Sequence, residues 1–291
     1  MKITAETPPS SPGAADGSGP SPFPAGTGLV VVGHGTANTI GAAETAAVAE
    51  KVGRLVPDLP VELGFLEVIE PSIDAAVGRL ADRGCREVLA LPILLFAAGH
   101  AKRDVPIALA EAAARRGLAV RQAAPLGLHP EIIRLARRRY FQTVADLPPL
   151  NDAEALLVVG RGSSDPTAAG QLWGLIRRCF AAVPRIARQQ VRVGFVAAAQ
   201  PSLDDAIRAI CQPVEGRPPV GRVVVQPHLL FPGHVETQVT TRLAQAREEQ
   251  PQVDWLQVPR LGPANEVARA LFERGLEAAW AQRFRTTVPG R

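Results

Sequence analysis

Short apolar runs alternate with longer amphipathic segments along this chain, and the alternation occurs twice. Residues 29–32 are continuously apolar and β-branched-rich, as expected for a strand buried on both faces. Residues 42–55 are Ala-rich with helical spacing, and Pro57 stands just beyond them. A second strand is expected at 61–66. Pro71 is placed to open a helix, where its missing N–H is no loss. That helix is expected to run to about Arg83, with Gly84 available as its cap. A third strand at 88–91, a helix over 103–116 ending at Gly117, a fourth strand at 119–123 and a helix over 130–144 complete the first half. Leu147, Pro148, Pro149 and Leu150 form a stiff linker. The order then repeats, with strands near 156–159, 191–196, 223–226 and 255–258 and helices near 167–181, 202–211, 235–249 and 263–283. Alternating strands and helices predict an α/β fold of two tandem lobes, each a parallel sheet flanked by helices.

The repeat is visible in the residues themselves. LVVVGHGT, GFLEVIEPSI, PILLFAAGH and PLG in the first copy correspond, in order, to LLVVGRGS, GFVAAAQPSL, PHLLFPGH and RLG in the second. A repeat separates scaffold from chemistry. Gly, Phe, Pro and Leu recur and read as architecture. His34 becomes Arg161 and Glu67 becomes Ala197, whereas His100 persists as His234. Only the first copy keeps His, Glu and His together. In open parallel sheets ligands bind beyond the carboxyl ends of the strands, and all three residues fall there.

Length and composition narrow the class. The 291 residues suit about two domains: a disordered leader at 1–27, a first lobe at 28–146, a linker at 147–154, a second lobe at 155–283 and a tail at 284–291. The leader is rich in Pro, Gly, Ser and Ala. A cleaved secretory signal ending near Ala25 is opposed by the lack of an apolar stretch, since Phe23 is the one large apolar side chain after Ile3. No apolar run reaches the roughly 18 residues of a membrane span. Cys85, Cys179 and Cys211 are isolated, which argues against thiolate zinc sites, an iron–sulfur cluster and a disulfide framework, and fits a reducing cytoplasm. The net charge of +4 is mild attraction for an anion. Aromatics at 4% and no basic run interleaved with them argue against nucleic acid. Arg137, Arg138 and Arg139 read as a solvated helix face.

The candidate chemistry rests on His34, Glu67 and His100. Gly33 and Gly35 leave the backbone open around His34. His100 precedes a helix, whose N-terminus disfavours imidazolium and keeps the ring able to bind a metal. Two histidines and a carboxylate suit an open divalent-metal site or a proton relay; the competing reading of each histidine is a helix cap. Glu62 and Glu70 read as surface residues, His129 as a helix start, and His228 as a packed strand residue. The run from Gly160 to Ser164, before a helix, is a weaker candidate for cradling an anion with its backbone N–H groups, and it lacks the ending of a P-loop.

VGHGT, GFLE followed by PSI, LPILLFAAGH with DVP, and PLG followed by HP closely resemble the sirohydrochlorin chelatase family, the class II chelatases of cobalamin and siroheme biosynthesis. The resemblance covers about residues 28–283. It implies a chelatase-like fold with a tetrapyrrole in a cleft between lobes, in the fused long form and hence as a monomer. It places His34 and His100 on the family's metal-binding and catalytic histidines and Glu67 on its acidic residue. The implied reaction inserts a divalent metal, Co²⁺ favoured and Fe²⁺ close behind, with Ni²⁺ or Zn²⁺ accepted by such a site. No organic cofactor is implied. Arg161, Lys102, Arg103 and His234 are the expected contacts to the polycarboxylate substrate. A non-catalytic tetrapyrrole or metal carrier is the alternative, and a zinc hydrolase finds no nucleophile motif in support.

Overall fold

A computed structural model of the chain describes residues 23–96, 100–163, 166–180 and 190–286. Eight strands and eight helices alternate among them. The first lobe runs β1 (Thr27–Gly33), α1 (Thr39–Leu55), β2 (Val61–Phe65), α2 (Ile73–Asp82), β3 (Glu87–Pro92), α3 (His100–Ala114), β4 (Ala119–Gln122) and α4 (Pro130–Val144). The second runs β5 (Glu154–Gly160), α5 (Pro166–Phe180), β6 (Val191–Phe195), α6 (Leu203–Cys211), β7 (Arg222–Pro227), α7 (His234–Glu249), β8 (Asp254–Gln257) and α8 (Asn265–Thr286). Each half forms a four-stranded parallel sheet, in the orders β2-β1-β3-β4 and β6-β5-β7-β8.

The central strands are buried on both faces, which explains their unbroken apolar runs. Leu29 and Val31 of β1 enter one core, while Val30 and Val32 enter another beneath α2 and α3. In β5, Leu156 and Val158 join the first core, and Leu157 and Val159 join a third beneath α6 and α7.

The first of these cores spans both lobes because the last helix of each packs on the other. Tyr140 of α4 donates from its hydroxyl to Oε1 of Glu154 at 3.2 Å and packs edge-on against Phe180 of α5. Gln226 of β7 donates to the Ala136 carbonyl of α4 at 2.9 Å. In return, Arg121 of β4 donates to the Ala278 carbonyl of α8, and Arg274 of α8 to the Pro125 carbonyl. A Cβ on Gly275 would stand 3.0 Å from Leu91, so α8 lies directly on the first sheet.

Several boundaries differ from the sequence-based expectation. The leader was expected to run through residue 27, but Phe23 is buried against Phe272 of α8 and Thr27 begins β1; residues 1–22 lie outside the described part. The linker was expected to reach residue 154, but a 3₁₀ turn occupies Asn151–Ala153 and Glu154 opens β5. The C-terminal helix continues through Thr286 rather than stopping near 283. Pro71 does not open α2. It follows a cis peptide bond, and Ser72 caps the helix by accepting from the Ala75 N–H; Pro201 and Ser202 repeat this arrangement before α6. Glu62 is not a free surface residue: its carboxylate is largely covered and pairs with Arg79 and Arg83.

Candidate metal-insertion site

The carboxyl ends of β2, β1 and β3, three adjacent strands, present the first lobe's rim. His34 follows β1 directly, and Glu67 lies two residues past β2. Backbone contacts lock the two segments together. The Leu66 N–H donates to the Gly33 carbonyl at 2.9 Å and the Glu67 N–H to the His34 carbonyl at 3.1 Å. Gly35 sits at φ +100°, under the Glu67 carbonyl. The side chains then meet, with Nδ1 of His34 3.3 Å from Oε1 of Glu67.

This geometry assigns complementary duties to the two groups. A carboxylate beside Nδ1 favours the proton on that nitrogen and leaves the Nε2 lone pair as a ligand. Both side chains are substantially exposed, 39% for His34 and 58% for Glu67, so solvent screens their attraction. The pair therefore orients the ring more than it stabilises the fold, and it remains accessible to a large ligand.

His100 is the first residue of α3, which begins three residues before the expected start at 103 and takes the histidine into the helix; its side chain and that of Lys102 lie outside the described residues. Arg103, in the same first turn, is exposed and stands 3.5 Å from Asp104. Among the described residues, no three His, Cys, Asp or Glu side chains are placed to hold a metal ion together.

The second lobe repeats the frame without the pair. Arg161 follows β5 and is exposed, and its carbonyl accepts from the Ala197 N–H at 2.9 Å, as His34 does from Glu67. Gly162 sits at φ +90° under the Ala197 carbonyl. His234 is the first residue of α7 and is exposed.

The two rims meet. A Cβ on Gly41 of α1 would stand 3.1 Å from the Pro232 carbonyl oxygen. Arg260 bridges Glu44 of α1 at 2.7 Å and Glu236 of α7 at 2.9 Å. Phe96, in the segment leading to His100, packs on His228 with ring centroids 5.4 Å apart. His228 follows β7 rather than lying within it, and it packs as expected. Its two nitrogens find no hydrogen-bond partner among the described residues, and burial pushes its pKa down to about 4. His129 is a helix start: it caps α4 by accepting from the Glu131 N–H at 3.3 Å, and burial followed by the charge of Arg274 lowers its pKa. The signal that sequence reading did not register is Val68, which adopts φ +73° beside Glu67. Residue type gives no hint of that backbone, although the repeat in GFLEVIEPSI marks the segment.

The CbiX family model matches residues 28–143 and 155–278, one match for each lobe. The chain belongs to the CbiX family. It is 27% identical over 219 residues to the sirohydrochlorin ferrochelatase of Priestia megaterium, with 75% of this chain and 78% of that protein aligned. It is also 27% identical over 174 residues to the sirohydrochlorin cobaltochelatase of the same organism, covering 60% of this chain and 54% of that protein. The chain thus spans about half the length of that relative. Among solved structures, SirB from Bacillus subtilis with Fe³⁺ superposes with a TM-score of 0.76 at 23% identity, covering 89% of this chain and 98% of that one. The fold is that of SirB.

Proposed function

We propose that this protein is a sirohydrochlorin chelatase, inserting a divalent metal ion into sirohydrochlorin at the rim of the first lobe. Family membership and the names of the relatives support the reaction. The observation that carries the site is the His34–Glu67 pair at 3.3 Å, present in the first lobe and replaced by Arg161 and Ala197 in the second. His34 would hold the incoming ion through Nε2, with His100 as the second imidazole. Insertion displaces the two inner N–H protons of the macrocycle; Glu67 would accept one directly, and Nε2 of His34 the other once it has passed on the ion. Arg161, Lys102, Arg103 and His234 are the proposed partners of the substrate's carboxylates.

The metal substrate is Co²⁺ or Fe²⁺; relatives carry both names. We read the protein as a cytoplasmic monomer. No helix among the described residues is long and apolar enough to cross a membrane, and the three cysteines are free. Exchange of α4 and α8 joins the lobes within one chain. The test follows the visible spectrum of sirohydrochlorin with purified protein and Co²⁺ or Fe²⁺ in turn. Catalytic conversion well above the protein-free rate is expected. Stoichiometric binding without acceleration would make the protein a carrier instead.

A further inference from the structure

Val68 holds a backbone conformation that its side chain opposes. Its φ is +73°, and the Ile69 N–H donates to the Glu67 carbonyl at 2.9 Å across it. This is a γ-turn of the positive-φ type, which is rare and strained, and a β-branched residue is a marked outlier there. Glycine would adopt the same turn at much lower cost. The isopropyl group gains no burial in return, since Val68 is 63% exposed. Its counterpart Ala198 in the second lobe also takes a positive φ, +52°, with a smaller side chain and without an acidic neighbour. The positive φ therefore belongs to the frame that both lobes share; what is particular to the first lobe is an exposed apolar side chain carried on it next to Glu67, where a bound ligand can cover it. The turn is also anchored to the chemistry: Glu67 is the residue before it, bonded to His34 through its backbone and over Gly35 through its carbonyl.

We infer that Val68 is a binding residue for the apolar flat face of the tetrapyrrole, on the loop that carries Glu67. The inference rests on the chelatase reading above and deepens it. A polycarboxylate macrocycle is charged at its edge and apolar on its face. Cations answer the edge; the face requires an apolar surface that is wet before binding and covered after it. Val68 meets that description next to the metal-handling pair.

Two variants test this. Val68→Ala removes two methyl groups and keeps the Cβ; Val68→Gly also relieves the turn. Binding of metal-free sirohydrochlorin is followed by its fluorescence, together with the thermal midpoint and the KM for metal. Val68→Ala should raise the Kd for the macrocycle about fivefold, the size expected when about two methyl groups are partly withdrawn from water. Val68→Gly should raise it at least as much while its thermal midpoint stays equal or increases. The KM for metal should not move in either. A macrocycle Kd unchanged in both variants overturns the inference. So does a loss of kcat at unchanged Kd, which would make the turn a device for aiming Glu67. A wild-type protein that neither binds nor metallates sirohydrochlorin sinks the chelatase reading itself. An active wild type with Val68 variants that bind equally tightly sinks this inference alone.

Discussion

The carbonyl oxygen of Glu67 lies 1.8 Å from where a Cβ on Gly35 would stand. The second lobe repeats the relationship between Ala197 and Gly162, at 1.7 Å. No side chain fits at either glycine unless a strand-end loop moves, and the positive φ of each adds strain for any L residue. Gly35→Ala should therefore cost about 2 kcal/mol or more of stability and lower the insertion rate at least tenfold, because it displaces Glu67 from His34. Gly162→Ala should destabilise comparably and, by shifting the Arg161 segment, raise the KM for sirohydrochlorin, yet leave kcat at saturating substrate nearly intact. Denaturant melts and initial rates on both variants check this; equal losses of kcat would mean that both rims do chemistry.

Arg161 occupies the place of His34 in the second lobe, and a guanidinium cannot coordinate a cation. Its expected role is to pair with a substrate carboxylate. Arg161→Ala should raise the KM for sirohydrochlorin, by less at high salt because the contact is exposed and screened. The KM for metal should stay the same. A rise in the metal KM with unaltered tetrapyrrole binding would refute the role.

Glu154 is fully buried where the lobes join. Nη1 of Arg222 lies 3.2 Å from one of its oxygens, and the Tyr140 hydroxyl, from the first lobe, donates to the other. Arg222→Met removes the Arg222 cation from that buried carboxylate and should cost about 3–5 kcal/mol. Tyr140→Phe should cost about 1 kcal/mol, the net value of one hydrogen bond. Equilibrium denaturation measures both, and the reverse ranking would contradict the pairing.

His228 ties stability to pH. Burial lowers its pKa from 6.5 to about 4, so the folded protein holds the ring neutral where the unfolded chain would protonate it. The unfolded state binds more protons between those values. Stability is thus fully present above about pH 6.5 and falls as pH drops toward 4, by about 3 kcal/mol from this group. His228→Phe should flatten that part of the stability-versus-pH curve. Parallel curves for the two proteins would show that the ring does not titrate differently on folding.

The strands were legible because they are buried on both faces. The run through Leu29 and Val32 needs no alternation to be recognised, and the Ser72 and Ser202 segments recur closely enough to mark equivalent helix starts. The pairing of His34 with Glu67 was legible only as proximity on one rim, because parallel order places strand ends together whatever their separation in sequence. What stayed hidden was long-range. An amphipathic α4 or α8 has the same periodicity whichever sheet it covers, so the exchange of terminal helices leaves no local trace. Phe23 is one apolar residue in a Pro- and Gly-rich stretch, and its burial depends on Phe272, far away in the chain. Val68 was invisible for the opposite reason: valine advertises extended backbone, and only the tertiary lock between Gly35 and Glu67 imposes the turn.

We expect the first lobe alone to carry metal insertion. The most direct measurement is the initial rate of Co²⁺ or Fe²⁺ insertion by His34→Ala, set beside His234→Ala and the wild type, with thermal midpoints recorded for all three. His34→Ala should lose at least tenfold, about 1.4 kcal/mol of barrier, with its midpoint nearly unchanged, while His234→Ala loses less. A near-wild-type rate in His34→Ala, or an equal or larger loss in His234→Ala, would mean that the first lobe does not carry the reaction alone.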